Sequence, residues 1–188
     1  IAKLERFIAI SIGKVIFINI HGSSANKKDD KMSINADLLS QLDDLLSQHS
    51  YMNNCIMGGD FNVDIRKHED VSNIFSDFFI SQGMVSSIVT YPYKIAYTYC
   101  NTSLGACSTI DYFAFSQKVV GFVLQNEVLD VEPNFSDHYP VMLTLSQEFV
   151  SDCMCLNTDV ITESSHVCAS DEPVVKHLRW DHVDVITY

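Results

Sequence analysis

Three short stretches concentrate the groups in this chain that can do chemistry. Gly59-Asp60-Phe61-Asn62, Ser108-Thr109-Ile110-Asp111-Tyr112 and Ser136-Asp137-His138-Tyr139-Pro140-Val141 each set a carboxylate, amide or imidazole beside an apolar run. Such positions are where a buried strand meets a loop. Carboxylates delivered from several strand ends can converge on a hard divalent cation such as Mg²⁺, which takes oxygen ligands. A histidine beside them is the usual proton carrier near neutral pH. In this order, the three stretches imply metal-assisted cleavage of a phosphodiester.

Each stretch also has a plainer use. Asp60 and Asn62 alternate along an extended segment, so both can face one side while Phe61 packs inward, and Gly58 and Gly59 allow a tight turn. A carboxylate there can orient water, and an amide can donate to a phosphate oxygen. The same residues also make an ordinary turn. Asp111 is a lone acid in an apolar, β-prone segment, and burying an unpaired carboxylate is costly. His138 is its natural partner, because a carboxylate on one ring nitrogen fixes the imidazole tautomer. An exposed acid on an edge strand and a simple cap at Ser136-Asp137-His138 are the alternatives for each taken alone; the ordered, complementary set outweighs them. Asp137 can reach a metal, and Pro140 fits a strand start. His21, His49 and His68 lie beside loops or helix ends and read as solvated groups. No Gly-x-Ser-x-Gly marks a serine hydrolase.

The elements that must position these groups follow from periodicity. Residues 14–20 read as a core strand, followed by a polar loop from Gly22 to Lys31. Apolar residues at 38, 39, 42, 45 and 46 predict an amphipathic helix over 34–46. Cys55-Ile56-Met57 predicts a short strand running into Gly58-Gly59-Asp60. A second helix is predicted from Asp70 to about Gln82, stopped by Gly83. Short β segments follow at 85–89, 96–100, 109–115, 121–129 and 141–145, and the whole predicts helices packed outside sheets. Beyond Ser146 the pattern fades into Ser/Thr/Asp/Glu-rich sequence, predicted to be poorly ordered over 147–175.

With 188 residues, 47% of them hydrophobic, the chain can build a real core. No apolar run approaches the length of a membrane span. The start has no signal-peptide pattern and no initiator methionine, which predicts a piece of a longer protein. The six cysteines read as mostly reduced thiols; Cys153-Met154-Cys155 with His166-Val167-Cys168 could bind Zn²⁺, but the spacing matches no standard knuckle. A net charge of −12 argues against holding nucleic acid by bulk electrostatics. Residues 147–188 carry eight acids against two bases. In the remainder, Asp60, Asp64, Asp111 and Asp137 would face a bound cation.

On these residues the chain resembles the endonuclease/exonuclease/phosphatase superfamily, and more closely the apurinic-like endonuclease domain of non-LTR retrotransposons. Tyr97-Thr98-Tyr99 joins the three stretches in carrying the resemblance, which covers about 14–146. Leu178-Arg179-Trp180-Asp181 resembles the segment joining that endonuclease to a reverse transcriptase. The resemblance implies an α+β fold, a four-layer αββα sandwich lacking its first strands. It implies residues 1–146 as the C-terminal portion of that domain and 147–188 as an acidic linker toward a downstream reverse transcriptase. It further implies Mg²⁺ (or Mn²⁺) as cofactor, DNA as target, no membrane, and a place in cytoplasm and nucleus.

By the same resemblance, Asp60 would position or deprotonate the attacking water, Asn62 would bind the phosphate, and Asp111 would orient His138. His138 would stabilise a phosphoryl oxygen, Asp137 would help hold the metal, and Thr98 would lie near the bound strand. The family's metal-binding glutamate and an early asparagine would lie upstream of Ile1. His21 stands where the family has a tyrosine near the phosphate, and it would donate to the substrate. Without the first strands, a sheet edge would be unpaired and core uncovered. The expectation is a weakly active or inactive fragment of a DNA-nicking endonuclease. A phosphatase acting on phosphoinositides or other small phosphates and a catalytically dead interaction domain are the alternatives.

Overall fold

β-branched and aromatic residues fill the segment after Lys14, and that segment becomes the spine of the fold. The computed structural model describes residues 2–4, 6–49, 54–94, 97–101, 103, 105–130 and 134–153. Ala2–Leu4 (β1), Phe7–Ile12 (β2) and Val15–His21 (β3) come first, then the helix Lys28–Gln48 (α1) and Asn54–Asp60 (β4). A 3-10 turn over Ile65–Lys67 leads to the helix Asp70–Ser81 (α2), Met84–Ser86 (β5) and the single-turn helix Ser87–Thr90 (α3). Tyr99–Asn101 (β6) and Ala106–Ser108 (β7) form a hairpin before Asp111–Ser116 (β8). Val123–Val128 (β9), Val141–Leu145 (β10) and the helix Gln147–Cys153 (α4) complete the described chain.

Six strands form the main sheet in the order β1-β2-β3-β4-β8-β5. Among the described residues only β3 and β4 run parallel, a pairing that needs a crossover; α1 supplies it. Both faces of this sheet are buried. Ile16, Ile18, Ile20, Met57 and Tyr112 pack under Leu38, Leu39 and Leu42 of α1 and Phe75 and Phe79 of α2. The alternate residues Val15, Phe17, Ile56, Phe113 and Phe115 point the other way, onto Leu143 of β10 and Phe149 of α4. Helices, main sheet, the β9–β10 pair and α4 therefore stack as successive layers. Burial on both faces explains the near-continuous apolar runs of β3 and β8.

The structure departs from the sequence expectation in several places. Residues 28–31, predicted as loop, are the first turn of α1, where Asp29 and Asp30 favour a helix N-terminus. Strands β1 and β2, which the periodicity did not predict, extend the sheet beyond β3, with β2 pairing β3 from Phe7↔Ile20 to Ile12↔Val15 and β1 outermost. The 85–89 segment divides into β5 and α3. Gln147–Cys153, placed by composition at the start of a linker, is helical, and its Phe149 is fully buried with its ring 5.5 Å from that of Phe122. Residues 154–188, with the rest of the linker, the zinc alternative and the Leu178-Arg179-Trp180-Asp181 resemblance, lie outside the described residues.

One glycine shows how tightly the site end is built. A Cβ at Gly22 would fall 2.0 Å from the Phe61 carbonyl oxygen, while the Gly22 N–H donates to the Asp60 carbonyl at 2.7 Å. Gly22→Ala should therefore cost about 1–3 kcal/mol, the scale of overpacking. It should appear as a lower urea midpoint with an unchanged slope; an unchanged midpoint would mean that this loop relaxes freely.

Candidate active site

Strand register brings the first groups together. Asp60 at the end of β4 pairs with Asp111 at the start of β8, and His21 at the end of β3 pairs with Asp60. Three chemically able side chains thus stand level at one end of the main sheet. The chain leaves β4 through Phe61, whose ring stacks on Tyr112 at 4.1 Å between centroids and meets Phe75 and Phe79 edge-on. Asn62 follows at φ 54°, a left-handed conformation that asparagine tolerates. Its backbone N–H donates to Asp60 Oδ1 at 2.7 Å, and its Nδ2 donates to Asp60 Oδ2 at 2.9 Å and to the Gly22 carbonyl at 3.2 Å. Lys31 Nζ donates to the Asn62 carbonyl at 2.7 Å, tying α1 to this turn.

Asp111 is held just as closely. Thr98 Oγ1 donates to Asp111 Oδ2 at 2.7 Å and accepts from the N–H groups of Ile110 at 3.0 Å and Asp111 at 2.9 Å. That hydroxyl uses its full hydrogen-bonding capacity and is completely buried. His138 Nδ1 lies 3.1 Å from both Asp111 carboxylate oxygens. The imidazole is steadied by Tyr99, whose ring centroid is 5.0 Å away and whose backbone bridges to His138. With Nδ1 engaged, Nε2 is the nitrogen left for a ligand.

Asp60, Asn62, Asp111 and His138 are therefore brought together, with Thr98 beneath Asp111. His21 Nε2 lies 3.9 Å from Asp60 Oδ2, and its side chain is 65% exposed. One ligand atom each from Asp60, Asp111 and His138 lie within 4.8 Å of one another, a group able to hold a metal ion. Asp137 is not in that group; it is exposed, and its carbonyl accepts from the Cys100 N–H at 2.8 Å. Asp64, expected to face a cation, does not: Arg66 grips it through Nε to Oδ1 at 2.9 Å and a terminal nitrogen to Oδ2 at 2.8 Å. Burial pushes the Asp64 carboxyl up, but the Arg66 hydrogen bonds and charge outweigh it and hold it below the usual range. Cys100 and Cys107, expected as reduced thiols, are joined as a disulfide across β6 and β7; Cys55 is free and buried.

Sequence reasoning missed Lys31 and Tyr99 as supports. Tyr99 had a signal, since Tyr97-Thr98-Tyr99 alternates in strand fashion with Thr98 turned inward. Lys31 had none, because its partner is a backbone carbonyl.

The charges are strained by proximity. Burial, and next the charge of Asp111, raise the Asp60 carboxyl, against the Asn62 backbone hydrogen bond and the nearby imidazoles. The hydrogen bond to Asp111 raises the His138 imidazole, against the opposing effect of burial. The stabilising contribution of His138 is thus complete below its unfolded value of about 6.5 and fades as pH rises through its higher folded value. In EDTA, His138→Gln should cost more folding stability at about pH 5.5 than at about pH 8.5. Equal costs in urea titrations at both pH values would contradict the Asp111–His138 pairing.

No protein-family model matches this sequence, and no curated protein sequence matches it. Solved structures do. The 3'-5' exonuclease NExo from Neisseria meningitidis aligns with a TM-score of 0.59 at 19% identity, covering 75% of this chain and 65% of that one. A second Neisseria NExo structure, described as a 3' phosphatase bound to a product DNA hairpin, gives 0.58 at 19% identity with the same coverage. An AP endonuclease from Archaeoglobus fulgidus gives 0.59 at 17% identity, covering 74% of this chain and 65% of that one. The fold is accordingly the α+β sandwich around a central mixed sheet that the exonuclease and AP endonuclease share. That fold is the one the resemblance implied. The chain spans 65% of the length of each of them.

Proposed function

We propose that this domain is a divalent-cation-dependent phosphodiesterase that nicks DNA as the endonuclease module of a retroelement polyprotein. The observation that carries the chemistry is the meeting of Asp60, Asn62, Asp111 and His138 at one sheet end, with His138 Nδ1 3.1 Å from Asp111. The residues fit a cation: two carboxylates face each other across β4 and β8, and the Asp60 carboxyl is pushed up partly by Asp111. Asp60 and Asp111 would hold the ion, which leaves His138 Nε2 for the phosphoryl oxygen. Carboxylate oxygens suit Mg²⁺ and Mn²⁺ alike. Such an ion, when bound, offsets charge on the phosphoryl oxygens.

The chain's own residues supply the rest. Asp60, held through both oxygens by Asn62, orients the attacking water and accepts its proton. Asn62 holds both Asp60 oxygens; touching a phosphate oxygen requires its Nδ2 to give up the Asp60 or Gly22 bond. Asp111 fixes the His138 tautomer, so that Nε2 faces a phosphoryl oxygen. Exposed His21 can donate to the same phosphate. The retroelement setting, with a reverse transcriptase downstream and a role in cytoplasm and nucleus, is supported by Tyr97-Thr98-Tyr99 and by Leu178-Arg179-Trp180-Asp181. No helix among the described residues is long and apolar enough to cross a membrane. A second reading, removal of phosphate from a 3' DNA end, uses the same groups and is favoured by the neighbour described as a 3' phosphatase.

The test is relaxation of supercoiled plasmid with Mg²⁺, Mn²⁺ or EDTA, beside phosphate release from a 3'-phosphorylated oligonucleotide. Slow, cation-dependent nicking that Asp60→Asn abolishes is the expected result. Equal nicking in EDTA, or nicking untouched by Asp60→Asn, would refute the assignment. Phosphate release without nicking would select the second reading.

A further inference from the structure

The β6–β7 hairpin stands apart from the main sheet and carries a covalent tie. It is a two-stranded sheet of its own, built on the pairs Tyr99↔Ser108, Cys100↔Cys107 and Asn101↔Ala106. None of these residues is buried. A two-stranded hairpin with no apolar face to bury is marginal in water. The disulfide between Cys100 and Cys107 crosses its central pair and supplies a constraint that packing does not. Cys107 is exposed and Cys100 half-buried, so a small thiol can reach the bond.

This hairpin supports both members of the Asp111–His138 pair. Thr98, just before β6, donates its N–H to the Ser108 carbonyl at 3.0 Å, and its carbonyl accepts from the Tyr139 N–H at 2.7 Å. Its hydroxyl grips Asp111 at 2.7 Å. The Cys100 N–H donates to the Asp137 carbonyl at 2.8 Å, and the Tyr99 ring lies 5.0 Å from the His138 imidazole. His138 is thus held by hairpin bonds to the residues on either side of it. Strand β7 in turn runs through Thr109 and Ile110 straight into Asp111.

We propose that the Cys100–Cys107 bond is a redox-modification site, opened by a dithiol reductant to free the hairpin and slacken the Asp111–His138 pair. The inference rests on the phosphodiesterase reading and adds a control to it. A thiolate of the dithiol attacks the exposed Cys107 sulfur, forms a mixed disulfide and expels the Cys100 thiolate. The second thiolate of the reductant then attacks the reductant's own sulfur in that bond. It expels the Cys107 thiolate, and the reductant leaves as a cyclic disulfide. Two electrons pass to the protein, and the two cysteine thiolates take up the protons that the dithiol gave up. In cytoplasm and nucleus, a protein disulfide is characteristically transient or redox-sensing, which is the use assigned to this one.

The test compares the full chain after air oxidation and after treatment with dithiothreitol. Alkylation and mass spectrometry should find Cys100 and Cys107 blocked before treatment and alkylated after it. Amide exchange at Tyr139, read by NMR, should quicken about tenfold on reduction. Mg²⁺-dependent plasmid nicking should fall about tenfold, as when a catalytic group is slightly misplaced. The double variant Cys100→Ser/Cys107→Ser should match the reduced protein in both measurements and ignore dithiothreitol, which separates this bond from the other cysteines. Cys100 and Cys107 open to alkylation before reduction, exchange or nicking at the same rate in both states, or an equal dithiothreitol effect in the double variant would each overturn the inference. Faster exchange on reduction with no nicking in either state would support the redox site and remove the phosphodiesterase reading.

Discussion

His138→Ala should lower cation-dependent strand cleavage by about 10²-fold or more, the usual scale for a positioned acid–base group. The size of the effect follows from how fully the imidazole is committed. Its Nδ1 meets both oxygens of Asp111 at 3.1 Å, and Asp111 is itself fixed by the buried Thr98 hydroxyl. Alanine removes the group facing the phosphoryl oxygen and leaves Asp60 and Asp111 without the imidazole that offsets their charges. The loss should fall on kcat rather than KM, because the contact strengthens as charge develops. Asp111→Asn should reproduce much of it by failing to hold the tautomer, as in other carboxylate–histidine pairs. Single-turnover nicking of a labelled duplex is the measurement. A loss confined to KM would reassign His138 to ground-state binding.

Phe61→Ala should destabilise the domain by about 3–5 kcal/mol, the range for emptying a buried aromatic site. Phe61 is completely buried and touches three rings from two elements: Tyr112 of β8 and Phe75 and Phe79 of α2. It also separates Asp60 from Asn62, so its anchoring keeps both polar neighbours on the solvent side of the strand end. Phe61→Leu, which refills most of the volume, should cost markedly less. Urea unfolding of the three proteins decides the matter; a Phe61→Ala cost below about 1 kcal/mol would mean that α2 collapses into the space.

What was legible in the sequence is what periodicity and pairing rules reach. The apolar stripe at 38, 39 and 42 gave α1, and the clean stop at Gly83 gave the end of α2, where the glycine sits at φ 61°. Asp111 was legible because a lone acid inside an apolar strand needs a partner, and the structure supplies His138. Asp64 misled for a related reason: its neutralising partner, Arg66, sits two residues away on a 3-10 turn and not across a sheet. The β1–β2 hairpin was missed because short strands over 2–12 carry little alternation of their own; their order comes from pairing with β3. Helix α4 was missed because Phe149, the buried residue among those of the helix whose burial is described, stands in mostly polar sequence. Cys100 and Cys107 were unreadable as a pair without the β6–β7 register that sets them opposite each other.

The pairing of Asp60 with Asp111 across β4 and β8 also ties the chemistry of the site to the mechanics of the sheet. The two acids are distant in sequence and become neighbours only when β8 docks against β4, so the site is assembled by a non-local step of folding. Their mutual repulsion opposes the last rung of that ladder, and a cation bound only by the folded form relieves it and adds stability by mass action. Metal occupancy and strand docking are then one coupled equilibrium. The sheet end should open first when the ion is withdrawn, and its backbone amides should exchange with solvent ahead of those in the middle of β3 and β4.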